Sequence, residues 1–272
     1  MGSAMRKAFF NGFEKKYGIR VVETSPVDFG KLRAMVDSGN VEWDLTEIGG
    51  QDAIRAGKAN LLDKVDPKVV DRSKYPPTAQ NPYVFASSVY TTIIGYRTDV
   101  FKGGTQPKSW ADWWDVKKFP GARSMRDHPT DNLEFALMAD GVPMDKIYPI
   151  DVKRAFAKVR EIKDRVTFWN NHADSYKLLR DNEVTMGCVA HTRAVLLRRD
   201  TAGAVDFTFN QGIFWVSNWI VPKGNPGGGR VWKLIAATLE PAAQVELLRQ
   251  MGNGPVNPEA LKLVPPDPAS FA

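Results

Sequence analysis

A chain of 272 residues, 43% hydrophobic and 25% charged, can bury a full core in one domain or in two lobes. Its net charge of +6 is dispersed over short pairs such as Lys15-Lys16, Lys117-Lys118 and Arg198-Arg199, with no zinc spacing and no aromatic RNA-binding motif, so no nucleic-acid partner is expected. No apolar run approaches the roughly 18 residues that span a bilayer, and the opening MGSAMRKAFFNGF lacks the continuous apolar stretch of a secretory signal.

Ala8, Phe9, Phe13 and Tyr17 recur at helical spacing over 4–17, and Gly18 stops that helix. A short strand is expected at Ile19–Glu23, then a helix with Phe29, Leu32, Met35 and Val36 on its apolar face, ending near Gly39. Trp43 to Ile48 reads as a strand that stops at Gly49-Gly50, where a helix from Gln51 to Ala56 begins at once. The proline-rich stretch 66–82 reads as a surface connection.

Phe85 to Tyr96 is a β-branched and aromatic run, too long for an ordinary strand and suited to crossing between two lobes. Ser109 caps a short helix bearing Trp110, Trp113 and Trp114. A turn and short strand follow over 119–127, and helices are expected at 132–139 and 152–162. Val166 to Trp169 reads as a strand, followed by a helix carrying Tyr176 and Leu179, a strand near 184–189 and another helix. The one cysteine, Cys188, sits in that strand as a small buried hydrophobe and leaves the redox compartment open. Strands are expected at Val205–Phe209 and at Phe214–Val221, the latter as the return crossing, and helices at 229–239 and 242–251.

This order predicts an α/β chain with a first lobe formed by 1–88 and 221–272, a second lobe at 97–212, and hinge strands at 89–96 and 213–220. Strand ends meet helix starts at 47–52 and at 169–175, places where backbone N–H groups and short polar side chains suit a small molecule.

The segments GARSMRD, NLEFALMADGV, VTFWNN with KLLRDNEVTMG, NQGIFWVSNWIVPKGNP and GPVNPEAL, in this order and spacing over about 6–264, together resemble the polyamine and γ-aminobutyrate type of extracellular solute-binding protein, the receptor subunit of an ABC importer. The resemblance implies a type II periplasmic-binding-protein-like fold, two α/β lobes that close on a ligand in the cleft between them, a cognate ABC permease as partner and a periplasmic setting. Two departures from the family pattern stand out. The usual first strand is absent, and the chain stops soon after NPEAL, so it looks shortened at both ends. A missing central strand would leave two neighbouring strand edges for another element to cover, and an oligomer is then expected in place of a monomer if a second copy covers them.

On this resemblance the ligand-binding candidates in the first lobe are Glu47, Gly49 and Gly50, the glycines because a strand-terminal turn admits close backbone approach. Tyr90 and Thr91 follow on the crossing strand. In the second lobe Arg126 can fork a carboxylate, or pair with Asp127 instead. Trp169 offers an aromatic wall or a cation–π face to an amine, or is simply a core residue, and Asn170, Ser175, Thr192 and Arg193 add hydrogen bonds. On the return strand Ser217, Asn218 and Trp219 stand where many relatives carry an acid. Asn218 in that place weakens a polyamine reading, because desolvated ammonium groups need carboxylates. Glu47 and Asp174 remain as amine partners, and a zwitterion such as a short ω-amino acid fits better than a polyamine.

An enzyme is not expected. His128, His172 and His191 are scattered, no Gly-x-Ser-x-Gly, Gly-x-Gly-x-x-Gly or Walker loop is present, and no cofactor or metal is called for. The alternative is a ligand-sensing domain of a regulatory system on the same fold, which would usually bring a DNA-binding helix pair.

Overall fold

The computed structural model describes residues 2–24, 27–71 and 81–264. Most of the connection expected at 66–82, and the proline-rich end beyond Val264, lie outside the described residues. The chain divides into two compact units, Met1–Tyr90 with Trp215–Ala272, and Thr91–Phe214.

In the first unit, helix α1 (Gly2–Met5), a π-helical turn (Arg6–Phe10) and α2 (Asn11–Tyr17) run on without a break to Gly18, whose φ of 64° gives the left-handed stop. Phe9 and Phe10 bury against Trp219, Trp232 of α10 (Arg230–Thr238) and Leu247 of α11 (Pro241–Met251). A second cluster joins Leu32 and Met35 of α3 (Phe29–Ser38) to Trp43, Ile48 and Ile220. Asp28 caps α3 by accepting from the Lys31 N–H at 2.8 Å. Strand β1 (Thr46–Gly49) runs straight into α4 (Gly50–Lys58). The strand expected at Ile19–Glu23 does not form: among the described residues no neighbouring strand pairs with the segment, and a strand exists only through its ladder.

In the second unit, α5 (Trp110–Trp114) starts at Ser109, whose hydroxyl accepts from the Asp112 N–H at 3.1 Å. Trp110 stacks on Phe135 of α6 (Pro129–Ala139) with ring centroids 3.6 Å apart. Strand β3 (Arg123–Arg126) pairs in parallel with β4 (Val166–Trp169) and with β5 (Met186–Ala190), and β5 pairs antiparallel with the second half of β2 (Phe85–Arg97). Helix α7 (Val152–Arg160) precedes β4, α8 (His172–Arg180) follows it, and α9 (His191–Asp200) follows β5. Arg123 is completely buried and its guanidinium donates to the carbonyls of Trp113, Asp115, Phe119 and Gly121.

The two strands expected at 205–209 and 214–221 are a single strand, β6 (Val205–Ile220). The polar break between them is a local distortion at Gln211, with φ 57°, whose side chain and carbonyl accept from Trp110 at 2.9 and 3.0 Å. Along the hydrogen bonds the strand order is β1-β6-β2-β5-β3-β4. The unit boundaries fall inside β2 and β6.

Candidate functional site

In the second unit the carboxyl ends of β3, β4 and β5 gather side chains far apart in sequence. Arg126 and Trp169 are register partners at the ends of β3 and β4. Asn171 caps α8 by accepting from the Ala173 and Asp174 N–H groups at 3.0 and 3.1 Å, which sets His172 at the first position of that helix. The His172 ring lies 5.5 Å from that of Trp169. Ala190 ends β5, and Thr192 and Arg193 sit in the first turn of α9, which has no side-chain cap.

Burial, aided by the positive charges of Arg126 and Arg193, lowers the His172 pKa to about 4. Both guanidiniums therefore act on one neutral imidazole. Burial also lowers the pKa of Arg193, and among the described residues neither arginine forms an ion pair. The alternative pairing of Arg126 with Asp127 does not form. Asp127 instead uses its backbone N–H on the Trp169 carbonyl at 2.8 Å.

Sequence reasoning missed Asp131. It is 6% exposed, has φ 71° at a break inside α6, and accepts from Thr92 Oγ1 at 2.9 Å. A left-handed backbone at a buried aspartate costs energy and persists only where the surroundings impose it. Arg126 and Asp131 act with opposite sign on the buried Cys188 thiol, so both charges reach the end of β5. Asn132 follows and donates to the Arg126 and His128 carbonyls at 2.6 and 2.9 Å, while its buried Oδ1 has no partner among the described residues. The only sequence signal was a run of polar residues, Thr130-Asp131-Asn132, ahead of an apolar helix.

Other expected residues are placed differently. Trp169 is 3% exposed and packs in the core of this unit, so it is no open wall, although its indole N–H has no partner among the described residues. Ser175 is fully buried and its hydroxyl donates to the His172 carbonyl at 3.0 Å, which occupies it within the helix. Thr192 is buried, Asn170 is exposed, and Asp174 accepts from the Asn171 side chain. The Thr91 N–H donates to His191 Nδ1 at 2.9 Å, and Tyr90 is half-buried.

In the first unit, Glu47 accepts from the Ser87 hydroxyl, and burial raises its pKa. Asn218 is buried and its amide donates to the Val216 carbonyl at 2.9 Å, and Ser217 pairs with Gly49 in the ladder. Trp219 is 5% exposed, and its indole N–H donates to Thr238 at 3.1 Å, which makes it a core residue. A Cβ on Gly49 would meet nothing within 4 Å, and one on Gly50 the Asn218 amide at 3.8 Å and the Val216 carbonyl at 4.0 Å, so no protein neighbour demands glycine at either position. Among the described residues no three His, Cys, Asp or Glu side chains converge on a metal-sized site.

What the second unit can do chemically follows from these charges. Two guanidiniums without an acid partner are suited to a carboxylate, and a nearby buried aspartate is suited to an ammonium.

The γ-aminobutyric acid-binding protein of Pseudomonas aeruginosa is 30% identical over 270 residues, which cover 97% of this chain and 76% of the relative. A solved GABA receptor is 34% identical, with a TM-score of 0.89 over 100% of this chain and 84% of its own. An ABC transporter substrate-binding protein from Bradyrhizobium japonicum is 34% identical, with a TM-score of 0.91 over 98% of this chain and 84% of its own. The fold is thus that of the two-lobed periplasmic binding proteins, as the sequence resemblance implied. Residues 8–271 match the family model described as bacterial extracellular solute-binding protein, and the chain belongs to that family of ABC-importer receptors.

Proposed function

We propose that this receptor works in the periplasm as a monomer and delivers to its permease a small solute bearing both a carboxylate and an amine, of the γ-aminobutyrate type. The observation that carries this reading is the pair of half-buried guanidiniums, Arg126 and Arg193, that flank neutral His172 with no ion-pair partner among the described residues. A bare polyamine would set its own cations beside two fixed ones, at a cost that grows as water is excluded. Asp131, within the same unit, answers the amine. The binding proteins for γ-aminobutyrate among the relatives support the same ligand class.

Calorimetry with γ-aminobutyrate, putrescine, spermidine and succinate tests the reading. The zwitterion should bind tightest, and a ligand at 100 times its Kd should raise stability by about 2.7 kcal/mol. Tight polyamine binding that survives Arg126→Ala would overturn it.

A further inference from the structure

Phe209 of β6, in the second unit, is 55% exposed, and its ring lies 5.7 Å from that of His191 and edge-on to Phe207 at 5.6 Å. An exposed phenylalanine is ordinary by itself. This one is held in place by the backbone that follows it.

Gln211 has φ 57°, a left-handed backbone that costs energy in a residue other than glycine, and both its side chain and its carbonyl are tied to Trp110. The Asn210 amide donates to the Lys108 carbonyl at 2.7 Å. At Gly212 a Cβ would meet Thr91 Cγ2 at 2.6 Å, so glycine lets β6 close on β2 there. A distortion of this kind re-aims the side chains next to it and recurs beside functional sites. A ring left half in water adds little to folding, so the strain calls for another use.

His191 opens α9, and its Nδ1 accepts from the Thr91 N–H at 2.9 Å, which fixes the imidazole beside the Phe209 ring. Arg193 follows two residues later, about 200° round the helix at 3.6 residues per turn, so Arg193 and the Phe209–His191 pair stand on opposite sides of the α9 amino terminus. No side chain caps that terminus, and a helix start of this kind favours a carboxylate. Thr92 pairs with Ala190 in the ladder and donates to Asp131, so the aspartate stands at the same end of the sheet. On the zwitterion reading above, we infer that Phe209 covers the methylene chain of the ligand, between a carboxylate at Arg193 and an amine at Asp131, and sets the length of amino acid that the site favours. Charged groups read the two ends of such a ligand. Only an apolar face reads what lies between them.

The test is calorimetry on the wild type, Phe209→Leu and Phe209→Ala with glycine, β-alanine and γ-aminobutyrate as probes. Each variant is compared with the wild type on the same ligand, which removes differences in charge spacing. The loss in Phe209→Ala should grow with chain length, from about twofold for glycine to about tenfold for γ-aminobutyrate, because each buried methylene is worth about fourfold. Phe209→Leu keeps an apolar surface and should recover most of that affinity. A loss equal across the three ligands would mean that the ring acts only through His191, and would overturn the proposal. Unchanged γ-aminobutyrate affinity in Phe209→Ala, or a Phe209→Leu variant as weak as Phe209→Ala, would also overturn it. A wild type that binds none of the three amino acids would overturn the zwitterion reading, and the proposal with it.

Discussion

Arg126 and Trp169 are paired partners at the carboxyl ends of two parallel strands, so a cation and an indole are fixed side by side by the sheet itself. The backbone, not a flexible loop, sets their separation. A site built this way is pre-organised, and loss of Arg126 should show in affinity rather than in folding.

Arg126→Ala and Arg193→Ala should each weaken γ-aminobutyrate binding by about 3–5 kcal/mol, the usual cost of removing one partner of a buried charge pair. The double variant should lose less than the sum, because both act on one carboxylate. Calorimetry on the four proteins checks this, and strict additivity would mean that the arginines serve separate groups.

Trp169 has two roles to separate. Trp169→Ala empties a core position, which typically costs about 3–5 kcal/mol in stability. Trp169→Phe keeps most of the volume and removes the indole N–H that has no partner among the described residues. It should leave the urea midpoint close to wild type while weakening γ-aminobutyrate binding by about 1–2 kcal/mol. An unchanged Kd would confine the residue to packing.

His172 links stability to pH. Its folded pKa of about 4 lies below the ordinary 6.5, so the unfolded chain binds the extra proton in between. The stability it contributes is intact above pH 6.5 and is lost as pH falls towards 4, by about 3 kcal/mol at 1.36 kcal/mol per unit. His172→Gln should flatten the stability profile between pH 6.5 and 4, read from urea unfolding at several pH values. An unaltered slope would assign the effect to other groups.

Glu47 works in the opposite direction. Burial raises its folded pKa, so its contribution is fullest below about pH 4.5 and declines as pH rises towards that folded value. Glu47→Gln keeps an acceptor for the Ser87 hydroxyl and removes the buried charge, so it should stabilise the protein at neutral pH and change little at pH 4. Destabilisation at pH 7 would show that the carboxylate is needed.

Arg123 is a scaffold residue. Its side chain satisfies four carbonyls in the interior, and burial lowers its pKa to about 10, still far above neutrality. Arg123→Met leaves those carbonyls unpaired and should cost at least about 3 kcal/mol in chemical denaturation, with the γ-aminobutyrate Kd of the folded fraction unchanged.

Much of the local structure was legible beforehand. The spacing of Phe9, Phe13 and Tyr17, the cap at Ser109 and the length of the strand from Phe85 were readable because each depends on residues a few positions apart. The resemblance also put Arg126, within GARSMRD, and Arg193 among the ligand-binding candidates. Burial was not readable: Trp169 and Trp219 look alike in sequence to aromatic ligand walls, and only their neighbours make them core.

By itself, then, the sequence determined the helices, their caps, the α/β alternation and the residue types able to hold a zwitterion. Only the tertiary structure decided that Asp131 is buried at a left-handed break in α6 against Thr92, and that 19–24 joins no strand ladder among the described residues although its composition is that of a strand. Propensity and capping act within a turn or two of chain. A ladder partner, a buried charge or a shared electrostatic neighbour comes from residues tens to more than a hundred positions away, as with Thr91 and His191, and those pairings exist only once the chain has folded.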